Sequence, residues 1–536
     1  MEAGAVRKEA APGSPALRRA VLLLAVVLCG AAVMEVEILG ARVVGPWFGV
    51  SLFVWTSLIT VTLLSLALGY WLGGRAADAG GTLARLGVLV AAAGGAVLAV
   101  PLLRGPVLKV SSGAGIRVGA LLAAAALFGP ALTLLGTVTP FAAKLLLQDL
   151  REAGRTVGKL SALSTLGSFA GTVATGFWII PAFHVDTIAA GSAFVLLALA
   201  GGCLAVSLRR PALLALPLPA LLLLHAPPLA KVTLPSGTTA EVICRRGSFY
   251  GQISIVDYRF GAAHTREMLI DGVIQGGVDM TSGESVYPYP YALEQAALAS
   301  VPGARTALVV GLGPASVPAR LARYGLRGTV VEIDPEVVEL STAYFGFAPD
   351  SFAVVVGDGR RFLAATSERF DLVLLDAFSA ENEPSHLFTQ EAFRAVSRVL
   401  SPGGALVINL SGPLPGVPGD GRLLDSVHRT LGTVFPETEV YHEAPEQGAV
   451  ALNYTLVGKS HGRPEVSGTP ARPFLPVHPM ASADLEGFLS RRYWPAAGAG
   501  QVYTDAWAPV EFHGAATKLL WRRALLATTP AEILLN

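Results

Sequence analysis

Thr306-Ala307-Leu308-Val309-Val310-Gly311-Leu312-Gly313-Pro314-Ala315-Ser316 is an apolar, partly β-branched run that breaks into a glycine turn. Such a run reads as a buried strand, and its two glycines let the backbone turn tightly and approach a ligand before a helix begins. Gly311 and Gly313 are therefore candidates for contact with a nucleotide or nucleoside. The next apolar run ends in Val331-Glu332-Ile333-Asp334, placing Glu332 about 20 residues after the glycines, where an acid can take both hydroxyls of a ribose. A dinucleotide and an adenosyl sulfonium fit that spacing equally.

Further along, Ala353 to Val356 runs into Gly357-Asp358-Gly359-Arg360, and Phe370 to Leu375 runs into Asp376-Ala377-Phe378-Ser379. An acid at Asp358, beside Gly359, suits an exocyclic adenine amine and tilts the reading toward ligands of the adenosylmethionine type. Asp376 adds a carboxylate at the same edge, where ligands of open α/β sheets bind. Each acid taken singly could be a strand end or a helix cap; the ordered set points to one crevice. With Ala405 to Leu410 as a further strand and amphipathic stretches between, the order strand, helix, strand predicts a parallel doubly wound sheet. Upstream, Ala240 to Cys244, Tyr250 to Tyr258 and Arg266 to Asp271 alternate as antiparallel strands do.

The first 230 residues have a different texture. Of 79 charged residues only 24 precede Ala230, and apolar runs occupy roughly 20–42, 51–73, 84–103, 116–138, 157–180 and 187–207, each long enough to cross a bilayer. A seventh candidate, 211–227, is short and carries four prolines. The first run is too long for a secretory signal core and reads as a retained helix. With the N-terminus inside, the inner loops hold twelve Lys and Arg against Arg42, Arg104, Lys109 and Arg117 outside, so the positive-inside rule predicts a cytoplasmic N-terminus. Six spans then leave the C-terminal part in the cytoplasm, and seven would place it outside. Gly69 with Gly73, and Gly167 with Gly171 and Thr175, recur at the spacing that lets helices approach closely. Glu35 and Glu37 sit late in the first run, where a carboxylate calls for a partner, such as Arg42 or another helix, or else marks a polar pathway. A net charge of +1 gives no reason to invoke nucleic acid. The three scattered cysteines suggest neither a disulfide framework nor a zinc site, and no metal site is expected.

Leu269-Ile270-Asp271-Gly272-Val273-Ile274-Gln275, then the glycine turn, Val331-Glu332-Ile333-Asp334-Pro335, Gly357-Asp358-Gly359 and Leu375-Asp376 together resemble the signature series of the spermidine synthase family, over about 240 residues. The membrane half resembles members of that family fused behind six or seven helices, as do Gly154 to Pro181 and Tyr503 to Glu511. The expected fold class is an α-helical membrane domain of 6–7 spans, a small antiparallel β domain, and an α/β Rossmann-like domain of the class I methyltransferase type. The expected divisions are a cytoplasmic tail (1–19), the membrane domain (20–227), the β domain (228–300), the nucleoside-binding catalytic domain (301–470) and a C-terminal extension (471–536).

The resemblance implies a polyamine aminopropyltransferase of the cell (inner) membrane, which moves an aminopropyl group from decarboxylated S-adenosylmethionine to putrescine or another amine. By the resemblance Asp376 is the base for the attacking amine, Glu332 holds the ribose, Asp358 the adenine and Gln275 the nucleoside. One of Tyr287, Tyr289 and Tyr291 lines the substrate, and a homodimer is the partner the family suggests. Two departures bear on substrate. The acid expected in the glycine turn is Pro314, and the acid expected three residues after Asp376 is Ser379, another substrate-site position. Losing charge-assisted contacts of this kind costs about 1.5–3 kcal/mol each unless Glu381, Glu383 or Asp279 substitutes. His386 is expected as a helix-start surface residue, and Arg245 and Arg246 as a solvated or membrane-facing pair. The alternatives are a methyl or alkyl transferase using intact S-adenosylmethionine and a transporter or sensor with a non-catalytic domain; an NAD dehydrogenase lacks an evident nicotinamide half.

Overall fold

A computed structural model describes residues 15–49, 51–147, 149–221, 229–348, 350–378, 382–415, 421–445, 449–462, 472–496 and 498–534. The chain separates into two compact units that part between Pro228 and Leu229.

The N-terminal unit is helical: α1 (Pro15–Phe48), α2 (Leu52–Asp78), α3 (Leu83–Ser112), α4 (Gly115–Gly136), α5 (Val138–Leu146), α6 (Ala153–Ala174), α7 (Ile180–Ala182), α8 (Val185–Leu208) and α9 (Leu218–Leu221). Among the described residues six stretches are long and apolar enough to cross a membrane: Ala16–Phe48, Leu52–Asp78, Leu83–Ser112, Arg117–Leu146, Leu150–Ala182 and Val185–Leu208. They coincide with the six runs read from the sequence. The seventh candidate begins as a short apolar helical stretch, Pro211–Leu221, and its remainder lies outside the described residues.

Small residues set the helix contacts. A Cβ on Gly171 of α6 would lie 2.6 Å from the Ala31 carbonyl oxygen of α1, and Gly73 of α2 stands equally close to Thr137. No larger residue fits at that separation. The acids of α1 meet hydroxyls of other helices, Glu35 that of Ser192 and Glu37 that of Thr62, which satisfies polar groups in an apolar setting. Arg104 of α3 makes a two-pronged ion pair with Asp186 at the start of α8, both distances 3.1 Å.

The C-terminal unit opens with five antiparallel strands in sequential order, β1 (Lys231–Thr233), β2 (Thr239–Gly247), β3 (Gln252–Phe260), β4 (Ala263–Ile270) and β5 (Val273–Asp279). The sequence predicts the middle three. The fifth follows a two-residue turn in which Asp271 (φ 47°) and Gly272 (φ 75°) both adopt positive φ, the geometry whose twist suits a tight hairpin. Arg246 pairs with Glu336 and Glu339, and Arg245 donates to the Glu532 and Ile533 carbonyls. Both arginines thus fasten other elements to β2, contrary to the solvated pair expected.

The doubly wound part comprises α10 (Tyr289–Ser300), β6 (Thr306–Val310), α11 (Ser316–Arg323), β7 (Arg327–Glu332), α12 (Pro335–Phe345), β8 (Phe352–Val356), α13 (Gly359–Ala365), β9 (Phe370–Leu375), α14 (Gln390–Val399), β10 (Leu400–Gly412), α15 (Arg422–Gly432), β11 (Glu437–His442) and β12 (Leu452–Lys459). The strand order is β11-β12-β10-β9-β6-β7-β8. Five strands are parallel as expected, whereas β12 runs antiparallel to β10, and β11 to β12. Both edge strands lie beyond the last continuous apolar run, and β11 (Glu437–His442) has too few apolar residues to stand out as a strand. The central strands are buried on both faces, as crossover helices require. The chain closes with α16 (Pro479–Leu485), α17 (Val510–Thr528) and α18 (Ala531–Leu534).

The α1–α6 approach yields a test. Gly171→Leu should lower the melting temperature of the detergent-solubilised protein by several degrees, an overpacking cost of about 1–3 kcal/mol. An unchanged melt would mean that the two helices do not pack as described.

Candidate active site

The sheet edge where β6, β7, β8 and β9 end encloses a cavity of about 260 Å³. Its floor is the glycine turn. Gly311 (φ 97°) has the Asp376 carbonyl oxygen where a Cβ would stand, so any side chain there would collide with the end of the neighbouring strand. Hydrogen bonds from Gly311 N to Val331 O and from Asp376 N to Val310 O, each 2.9 Å, hold these ends in register.

Glu332 is buried, and its two carboxylate oxygens accept from Leu312 N (2.8 Å) and Asp334 N (2.9 Å). Burial raises its pKa, while the N–H groups of Asp334, Leu312 and Ile333 oppose the rise. Glu332 also lines the cavity. Asp358 caps α13 through Arg361 N (2.8 Å), and its second oxygen lies 3.0 Å from His386 Nε2. Asp358 is thus both a helix cap and a cavity residue. Gly359 is packed so closely that a Cβ would lie 2.5 Å from Val310 Cγ1.

Asp376 opens to the cavity but is otherwise walled in by protein. Desolvation pushes its carboxyl up to about 6, opposed by a hydrogen bond from Asn409 Nδ2 at 2.8 Å. A base poised near neutrality can take and release a proton under ordinary conditions. Asn409, on β10, carries no motif signal, because its relevance comes only from the pairing of β10 with β9.

Of the three tyrosines, Tyr289 alone lines the cavity, and its hydroxyl donates to the Gln275 carbonyl at 3.0 Å. Burial raises its pKa, reinforced by the charges of Asp376 and Glu443. Tyr287 instead donates to Glu267 (2.5 Å) and Tyr291 to the Ser285 carbonyl (2.6 Å), so neither lines the cavity. The Gln275 side chain also lines it and donates to the Val273 carbonyl at 3.1 Å. Pro314 crowds the same corner: a Cβ on Gly276 would meet the Pro314 ring and the Tyr289 hydroxyl, each at 2.8 Å.

Further cavity residues come from loops. Tyr250 lines the wall, and burial followed by the charges of Asp334, Asp358 and Glu332 raises its phenol. His386 is the middle residue of the short 3-10 turn Ser385–Leu387, and it lines the cavity beside Asp358. Ser379 and Glu381 lie outside the described residues. Glu383 is fully buried and pairs with Lys518 at 2.6 Å, and Asp279 sits in an exposed turn bonded to Ser282. Neither is placed to replace an anionic contact. Asp505, in the Tyr503 to Glu511 stretch, accepts from Thr389 Oγ1 (2.6 Å) and Arg360 (3.0 Å), bracing α13 beside the cavity. No cluster of three or more His, Cys, Asp or Glu that could hold a metal occurs among the described residues.

A glycine turn with acids at the ends of the three following strands gives this sheet edge the form of an open α/β domain of the methyltransferase-like type. Residues 288–459 match the family described as "Spermine/spermidine synthase domain", and the C-terminal part of the chain carries that domain. An N-terminal histidine N-methyltransferase of Emericella nidulans is 32% identical over 168 residues, which are 30% of this chain and 29% of that protein. A probable polyamine aminopropyl transferase of Bifidobacterium longum is 27% identical over 247 residues, 42% of this chain and 52% of that protein. The chain thus spans about half or less of the length of these two relatives. A solved structure of a probable spermidine synthase from Corynebacterium glutamicum aligns at 20% identity and a TM-score of 0.40, covering 50% of this chain and 97% of that one.

Asn409→Leu removes the one side-chain donor that opposes the rise of Asp376. The Asp376 midpoint should then move above about 6, read from its carboxyl carbon resonance in protein labelled at aspartate. An unmoved midpoint would dissociate Asn409 from the titration.

Proposed function

We propose that the protein is a membrane-anchored aminopropyltransferase that uses decarboxylated S-adenosylmethionine and an amine acceptor. The observation that carries the proposal is Asp376: a carboxylate held near neutrality by burial, aimed into a nucleoside-type cavity and steadied by Asn409. In this reading Gly311 and Gly313 approach the donor, Glu332 takes the ribose hydroxyls, and Asp358 with Gly359 meets the adenine. Gln275 and Tyr289 close the side from the small β sheet.

The acceptor nitrogen attacks the carbon bonded to the sulfonium. As the C–N bond forms, the C–S bond breaks with its electron pair moving to sulfur, and neutral methylthioadenosine leaves. The amine proton passes to Asp376. Because the sulfur begins positive and ends neutral, the leaving group needs little help, and the protein's task is to hold a neutral amine in line. Pro314 occupies the position where the family resemblance places an acid for the donor's ammonium, which favours a second reading: a methyl or alkyl transferase that uses intact S-adenosylmethionine. Six spans return the chain to the side from which it enters, and the excess of inner Lys and Arg supports a cytoplasmic catalytic domain at the cell membrane. A donor made in the cytosol supports the same side.

Calorimetric titration of the detergent-purified protein with decarboxylated S-adenosylmethionine, S-adenosylmethionine and methylthioadenosine, followed by mass spectrometry with a panel of amines, tests the proposal. Tighter binding of the decarboxylated donor with an aminopropylated product is the expected result. Preference for the intact donor would replace it with the second reading, and no adenosyl binding would end both. Asp376→Asn should cost about 10²–10⁴-fold in turnover while leaving methylthioadenosine affinity within about three-fold. Equal losses of both would make Asp376 a binding residue rather than a base.

A further inference from the structure

The C-terminal extension reaches back to the cavity. On α17, Lys518 and Arg522 are four residues apart and so share one helix face, and both are buried, 7% and 2% exposed. Gly514, one turn earlier, leaves the space the lysine uses: a Cβ there would lie 2.9 Å from Lys518 Cε. The Lys518 ammonium lies 2.6 Å from Glu383 and donates to Asn382 Oδ1 at 3.1 Å. Asn382 and Glu383 immediately precede Pro384 and His386, which line the cavity. One turn further along α17, Arg522 donates to the carbonyl of Asp271 at 3.2 Å. Asp271 sits at the positive-φ turn between Ile270 and Gln275, which line the opposite wall.

We infer that Lys518 and Arg522 are positioning residues that fix the two walls of the nucleoside cavity through one helix, so that the extension beyond residue 471 completes the site. The inference rests on the nucleoside-binding reading for its ligand, and on geometry alone for the brace. Glu383 is buried, and without Lys518 its charge has lost its ammonium partner, so the segment carrying Pro384 and His386 must move or take up a proton. Loss of the Arg522 contact loosens the β4–β5 turn, which Asp271 also secures through its hydrogen bonds with Gln252, and with it Gln275.

Hydrogen exchange on the full-length protein in detergent provides the test. In Lys518→Met, exchange should quicken in residues 382–388, and in Arg522→Gln in residues 270–276, with strands 306–310 and 370–375 unchanged in both. Methylthioadenosine should bind each variant about ten-fold more weakly or worse, as small misplacements of binding groups do, and Lys518→Arg should recover much of the loss. A fall in melting temperature with uniform exchange and unaltered affinity would reduce the two cations to fold stability and overturn the inference. Should Lys518→Met not fold, Arg522→Gln and Lys518→Arg carry the same comparison. If wild-type protein binds no adenosyl nucleoside, the functional reading falls, and the exchange pattern still decides for or against the brace.

Discussion

The site depends on one close approach, that of Gly311 to the carbonyl of Asp376. Two parallel strands must end side by side for their C-terminal edges to form a crevice, and the glycine turn leaves β6 at the point where β9 delivers its acid. A side chain at 311 would force the turn away from Asp376 and open the floor of the cavity. The hydrogen bonds from Gly311 to Val331 and from Asp376 to Val310 carry the same register outward to β7, so Glu332 arrives at the same depth.

Electrostatics then follow from burial. Three acids converge on one cavity, and each has a different local restraint: backbone N–H groups for Glu332, the α13 N-terminus and His386 for Asp358, and the Asn409 amide for Asp376. Burial pushes the Asp376 carboxyl up to about 6, and the Asn409 amide opposes that rise. Acids elsewhere in the unit are engaged otherwise. Glu383 is neutralised by Lys518, and Glu294 and Glu284 are gathered around Arg320, which also donates to the Pro476 carbonyl and so ties α10 and α11 to the extension. Pro314 fills by packing a corner where the family resemblance leads one to expect an acid.

The two units answer to different solvents. In the N-terminal unit Arg104 meets Asp186, Glu35 meets Ser192 and Glu37 meets Thr62, and the glycines allow helix backbones to touch. In the C-terminal unit the central parallel strands are buried on both faces, and Glu332, Asp358 and Asp376 stand at their C-terminal edge.

The sequence by itself determined the six apolar spans, because their length and composition are local properties, and the order of the parallel strands with their acids, because each motif is a strand end followed by a turn. It also marked Gly311, Gly313, Glu332, Asp358 and Asp376, since a fixed chain spacing places them at one sheet edge. Only the tertiary structure decided which tyrosine lines the cavity, because Tyr287, Tyr289 and Tyr291 lie on and before one helix start and point to different partners. It likewise brought Asn409 to Asp376 through strand pairing, turned β11 and β12 antiparallel, and carried Lys518 to Glu383 and Arg522 to Asp271, in the segments next to cavity residues. Those contacts join residues up to 251 positions apart, and no local pattern in a chain encodes which distant groups will meet when its buried faces close.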